Sequence, residues 1–161
     1  MATETQYNFF KAVYDEENER YTRLGNRATL YFSIISFFLG TIIFKFSDLK
    51  PFLALFHVPT ALYLVIGLLF GLSLIFTVCG IIVRKYEGIC DLTDIIRNMG
   101  AHAPTDAAFL DDRIIDLAVA TKRNKAQNGR VAMLLKCSAY LILGAVCVQF
   151  VVFIVALARR M

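Results

Sequence analysis

Three long apolar runs without a charged side chain dominate the sequence. They cover residues 28–44, 60–83 and 137–158, and each is close to the roughly 20 residues that a helix needs to cross a bilayer core. Hydrophobic residues make up 58% of the 161-residue chain, so too little polar sequence remains to cover three buried core helices. We therefore expect an all-α integral membrane protein with three transmembrane helices, extended by cytosolic helical segments.

The distribution of Lys and Arg predicts how the spans are oriented. Thirteen of these cations lie in residues 1–27 and 84–136, against two in residues 45–59. Because Lys and Arg favour the cytoplasmic side, we expect a multi-pass protein of the inner (plasma) membrane with a cytoplasmic N-terminus. The single membrane domain is then divided into a cytosolic helix (5–27), a first span (28–44), an outer loop (45–59), a second span (60–83), a cytosolic helical hairpin (84–131) and a third span (137–158).

Charge and cysteine usage narrow the classes of function. The net charge of +4 is explained by topology and by attraction to anionic headgroups, so no nucleic acid partner is expected. The four Cys form no CxxC pair, and His57 has no second ligand at metal-binding spacing. No nucleotide-binding or hydrolase motif occurs. We expect neither a cofactor nor a metal, and a protein that is not an enzyme.

The last third of the chain predicts one helix across residues 105–158, with Thr105 as its N-cap. Its cytosolic part carries a packing stripe that ends in Asn124 and Asn128, which on a buried seam can fix the register and the partner of the helix. Surface positions for both Asn are the alternative. The second span is also expected to continue past Val83 as far as Gly100.

A heptad pattern precedes the first span and predicts a helix over residues 5–44. Glu17 occupies the one position of the pattern where an apolar or aromatic residue is missing. Residues 45–59 follow as an outer loop, with Pro51 in the first turn of an interfacial helix. The seam positions are Tyr7, Phe10, Tyr14, Tyr21, Leu24 and Ala28.

Small residues at helical spacing predict faces through which the spans contact other helices. The second span contains Gly67 and Gly71, and the first contains Ser36 and Gly40. These faces serve either packing within one chain or contacts between copies. The corresponding face of the third span is Ser138, Ala145, Gln149, Val152 and Ala156.

Gln149 carries the one side-chain amide in the three apolar runs. It lies near the middle of the third run, where an unsatisfied amide would cost several kcal/mol in hydrocarbon. We expect it to point at another helix, in a structural hydrogen bond, or at water, in a ring that lines a pore.

Arg97 and His102 match the R-N-x-x-x-H motif of HEPN ribonucleases, in which the Arg and the His act on the scissile phosphate. Gly100 interrupts the helix that would present both groups. The alternative is a helix end followed by a turn.

Two segments lead into the first and last spans. The first carries Arg20, Tyr21, Leu24, Arg27 and Ala28, and the second carries Asp112, Ile115, Ala118, Ala120, Asn124 and Asn128. These segments resemble those of small bacterial antiphage membrane effectors, the SLATT-like and Pycsar-type transmembrane effectors. The resemblance implies an oligomer that damages the inner membrane when infection is sensed.

The leading hypothesis is a homo-oligomeric effector that forms a pore or disrupts the membrane in an abortive-infection system. Its cytosolic helices would receive a signal from a nucleotide second messenger or a partner protein. The alternatives are a holin-like pore protein, a small transporter or channel subunit, and a membrane-tethered HEPN-like RNase.

Overall fold

In a computed structural model, the described residues are 3–55, 60–83 and 106–158, and they form three α-helices. Helix α1 runs over Glu4–Leu55, α2 over Thr60–Ile82 and α3 over Asp106–Ala158. Each helix is long and apolar enough to cross a membrane. The all-helical prediction with three span-length helices is therefore confirmed for these residues.

Helix α1 extends further than the sequence analysis predicted. It continues through Pro51 to Leu55, so the predicted break between the first span and a separate interfacial helix starting at Pro51 is wrong for the backbone. Lys45, Asp48 and Lys50 mark a change of polarity, which ends an apolar run but does not end a helix. Pro51 lacks the N–H that would bond to the carbonyl of Ser47, and this removes one rung of the helix without stopping it.

Helix α2 is shorter than expected. It ends at Ile82, and Val83 lies in a turn, so the uninterrupted helix predicted past Val83 is wrong at that point. The predicted continuation to Gly100 and the Thr105 N-cap lie outside the described residues. Helix α3 agrees with the predicted single helix, since it starts at Asp106 and includes Gly129 without a break.

The chain divides into two compact units. The first unit contains Met1–Leu24 and Val83–Val131, and the second contains Gly25–Ile82 and Ala132–Met161. In the first unit, Tyr14 packs against Leu117 and Ala120, with Tyr7 and Phe10 at the edge of the cluster. The predicted packing stripe on α3 is buried at both of its asparagines, Asn124 and Asn128, and Leu117 on the same helix is buried as well.

The core of the second unit brings all three helices together. Ile35 from α1, Ile66 and Phe70 from α2, and Ala145 from α3 form one buried cluster. Phe38 stacks on Phe70 with their ring centroids 5.1 Å apart. Large apolar side chains elsewhere remain exposed, since only 11%, 28% and 17% of the most apolar stretches of α1, α2 and α3 are buried. One copy in water would leave far more apolar surface uncovered than soluble proteins do.

Candidate functional site

The buried polar contact of the first unit joins Glu17 on α1 to Asn128 on α3. The side-chain Nδ2 of Asn128 donates to the backbone carbonyl of Glu17 and to its Oε2, both at 3.0 Å. Arg20 Nη1 lies 3.3 Å from Oε1 of the same carboxylate. Both hydrogens of the amide group are used, and both carboxylate oxygens are engaged.

Glu17 occupies the seam position where the heptad pattern lacks an apolar residue, and its exposed fraction is 8%. Asn128 is 2% exposed and Asn124 is 1% exposed, so both asparagines lie on the buried stripe. The sequence indicated that Asn128 could fix a helix pairing, but not that Glu17 is its partner. The interrupted heptad on α1 was the signal that pointed to Glu17.

The buried polar contact of the second unit consists of three hydroxyls. Ser138 Oγ lies 2.7 Å from Ser73 Oγ and 2.8 Å from Thr77 Oγ1. Ser73 Oγ is also 3.0 Å from the carbonyl of Ser138, and Thr77 Oγ1 donates to the carbonyl of Ser73 at 3.0 Å. All three residues have an exposed fraction of 0%. The cluster links α2 to α3 by hydrogen bonds without burying a charge.

Ser73 and Thr77 were missed as contact residues by the sequence analysis. They belong to a stripe with alternating spacings of four and three, in which every member is buried. A search for this spacing, with hydroxyl and small residues admitted, would have found it. The stripe on α2 is Ile66, Phe70, Ser73, Thr77 and Gly80.

The glycines predicted for close helix contact lie beside this stripe rather than on it. A Cβ atom built at Gly67 or Gly71 meets nothing within 4 Å, and the same is true at Gly40. Ser36 is exposed, whereas its neighbour Ile35 is fully buried. Within the described residues, these small-residue positions are therefore open on the surface of the second unit.

The predicted face of the third span separates into two parts. Ser138, Ala145 and Val152 are buried, whereas Gln149 is exposed on the flank of that face. The side chain of Ala156 lies outside the described residues. The amide of Gln149 is thus displayed outward from a single chain, near the middle of the 22-residue apolar run.

The predicted HEPN-like pair, Arg97 and His102, lies outside the described residues. Among the residues that the structure describes, no group of three or more His, Cys, Asp or Glu could hold a metal ion. Cys79 and Cys147 are exposed, Cys137 is partly buried, and all three are free thiols.

No protein-family model matches the chain, and neither a curated protein nor a solved structure shows significant similarity to it. The assignment of function accordingly depends on the sequence and the geometry of the chain itself.

Proposed function

We propose that this chain is a self-associating, multi-pass protein of the inner membrane. In this proposal α1, α2 and α3 each cross the bilayer, and the first unit lies in the cytosol with the N-terminus. The exposed apolar surface of the three helices supports insertion, because lipid would cover what a single chain leaves open.

A cysteine placed at the exposed position Asn18 should react with an impermeant maleimide only after the cells are opened. Labelling of intact cells would contradict this orientation.

The observation that carries self-association is the exposed amide of Gln149. In hydrocarbon, an amide without a hydrogen-bond partner costs several kcal/mol, so Gln149 needs another polypeptide or water. The open positions at Gly67 and Gly71 would allow a helix of a second copy to approach closely. A closed ring of copies repeats each such contact once per copy, which compensates for the small value of a single interhelical hydrogen bond.

The activity proposed for this oligomer is membrane permeabilisation in antiphage defence, without enzymatic chemistry. A nucleotide second messenger or a cytosolic partner protein would act on the first unit. The resemblance at the entries to the first and last spans supports this assignment.

Infection of cells that carry the gene with its neighbours should depolarise the membrane before phage release. Normal membrane potential and normal phage yield would contradict a role in defence.

The substitution Gln149→Leu tests the proposal at its central residue. Reconstituted wild-type protein should form oligomers in mild detergent and should release dye from liposomes. Gln149→Leu should shift the population towards smaller species and slow dye release, since the polar contact between copies is lost. Phe150→Leu is the matched control, because Phe150 is an exposed apolar neighbour that is 63% exposed. Wild-type oligomers and wild-type release in Gln149→Leu would remove Gln149 from the mechanism.

A further inference from the structure

One end of the second unit is marked by the end of α2. A Cβ atom built at Gly80 would lie 3.7 Å from Leu135 Cδ2 and 3.8 Å from Leu134 Cβ. Helix α2 ends two residues later, at Ile82. The end of α2 therefore lies level with Leu135 on α3, and Lys136 is the next residue along α3.

Arg27 on α1 lies at the same end of the second unit. Ile35 and Ala145 share one buried cluster, which sets the level of α1 against α3. Arg27 precedes Ile35 by eight residues, and Lys136 precedes Ala145 by nine. At about 1.5 Å per residue, the two cations are about 12 Å and 13.5 Å from that cluster along their helices. Helices α1 and α3 run in the same direction, because Tyr14 packs against Leu117 and Ala120 while the later residue Glu17 contacts the later residue Asn128, and both helices are continuous.

These two cations have no carboxylate near them in sequence. Residues 25–44, 60–82 and 132–158 contain neither Asp nor Glu. In the first unit, by contrast, Arg20 and Arg23 are paired with Glu17 and Glu19 on their own helix. The positive charges of Arg27 and Lys136 are thus left for an anion that these three segments do not supply.

The surroundings of Lys136 are those of a membrane interface. Its Nζ lies 5.9 Å from the centroid of the Tyr140 ring, and Tyr140 is 63% exposed. Tyr side chains are enriched where apolar spans meet the headgroups, and Lys side chains there extend towards the aqueous side. Arg27 and Lys136 are themselves exposed.

We propose that Arg27, Lys136 and Tyr140 form an interfacial belt that binds the phosphate groups of anionic lipids. The guanidinium and the ammonium would each contact headgroup phosphate, and the Tyr140 hydroxyl would lie at the same depth. This inference rests on the membrane insertion proposed above, but not on oligomerisation or on a role in defence.

The test compares the lipids retained by the protein in nanodiscs of phosphatidylcholine mixed with phosphatidylglycerol. Native mass spectrometry should find phosphatidylglycerol enriched on the wild type. In the double variant Arg27→Gln/Lys136→Gln, the ratio of bound phosphatidylglycerol to phosphatidylcholine should fall by up to roughly 25-fold. Each cation near an anionic leaflet contributes about fivefold to the attraction.

Two variants provide controls. Lys122→Gln/Lys125→Gln removes the same charge from exposed positions of the first unit and should keep the enrichment. Arg27→Lys/Lys136→Arg preserves the charges and should also keep it. An unchanged ratio in Arg27→Gln/Lys136→Gln, or an equal fall in the Lys122/Lys125 variant, would overturn the belt.

A soluble anion and a failure of insertion give separate results. If inorganic phosphate added to detergent-solubilised protein raises its thermal stability as much as phosphatidylglycerol does, the ligand is a soluble anion and the lipid belt is overturned. If the wild type stays in solution without detergent and does not enter nanodiscs, membrane insertion itself fails. Protein that enters nanodiscs without enriching phosphatidylglycerol overturns the belt alone.

Discussion

The two units bury polar groups in different ways. The first unit buries a carboxylate, Glu17, and satisfies it with the amide of Asn128 and the guanidinium of Arg20. The second unit buries three neutral hydroxyls, and two of them also reach a backbone carbonyl at 3.0 Å. The Glu17 carboxylate thus depends on side-chain donors from two helices, whereas two of the three hydroxyls also have a backbone carbonyl as a partner.

The difference follows from the cost of leaving each group unsatisfied. A buried carboxylate that loses a donor keeps most of its desolvation cost, so a specific partner is required at that point of the seam. A serine or threonine hydroxyl that loses one neighbour can keep a bond to a carbonyl of its own or a neighbouring helix. The contact of the first unit can therefore select one helix pairing, whereas that of the second unit tolerates change.

The largest expected effect comes from interrupting α3 beside Asn128. Gly129→Pro removes a helix hydrogen bond and clashes with the carbonyl of Lys125, which should cost about 3 kcal/mol or more. Hydrogen exchange should show lost protection around Asn128, while amides near Ser138 and Ala145 stay protected. Gly129→Ala is the control. Gly129 is exposed, and a Cβ atom added there would meet nothing within 4 Å. The alanine variant should therefore raise the free energy of unfolding by up to ~1 kcal/mol. Full protection in the proline variant would show that an unbroken helix is not needed there.

A smaller loss is expected from Asn128→Leu, which removes both amide donors from Glu17. The free energy of unfolding in detergent, followed by circular dichroism, should fall by about 2–3 kcal/mol. Glu17→Leu/Asn128→Leu should recover much of this loss, because it completes the apolar heptad and leaves no buried charge. A double variant no more stable than Asn128→Leu alone would argue against the carboxylate as the source of the effect.

The smallest loss is expected from Ser138→Ala in the second unit. In this variant Ser73 can still donate to the backbone carbonyl of residue 138, and Thr77 can still donate to the carbonyl of Ser73. The free energy of unfolding in the same assay should therefore fall by only about 0.5–1 kcal/mol. A loss equal to that of Asn128→Leu would reverse the comparison between the two units.

Most of the helical architecture could be predicted from the sequence, because apolar runs and heptad spacing are local patterns. The seam on α1 was predicted from Tyr7 to Ala28, and Tyr14, Leu24 and Ala28 are buried on it. Helix ends were less predictable. The charges around Pro51 indicated a loop before a separate interfacial helix, yet α1 continues through Pro51 to Leu55, since the loss of one backbone hydrogen bond does not end the helix.

Contacts between helices could be predicted only in part, because they depend on how each helix is rotated about its axis. The Gly67 and Gly71 motif predicted a contact face of α2, either within one chain or between copies, and within one chain the helix packs through Ser73 and Thr77. A motif of small residues says that close approach is allowed, not that it occurs within the same chain. The exposure of Gln149 depends on the same rotation and became evident only from the structure.

The pairing of Glu17 with Asn128 also has a consequence for biosynthesis. The two residues are 111 positions apart, whereas Ser73 and Ser138 are 65 apart. A ribosome must translate the whole of α2 and nearly half of α3 before the donor for Glu17 exists. Until then the carboxylate can be satisfied only by water or by its neighbour Arg20, so α1 must stay solvated on its seam. The helices of the first unit can therefore pack together only late in synthesis, after residue 128 has left the ribosome.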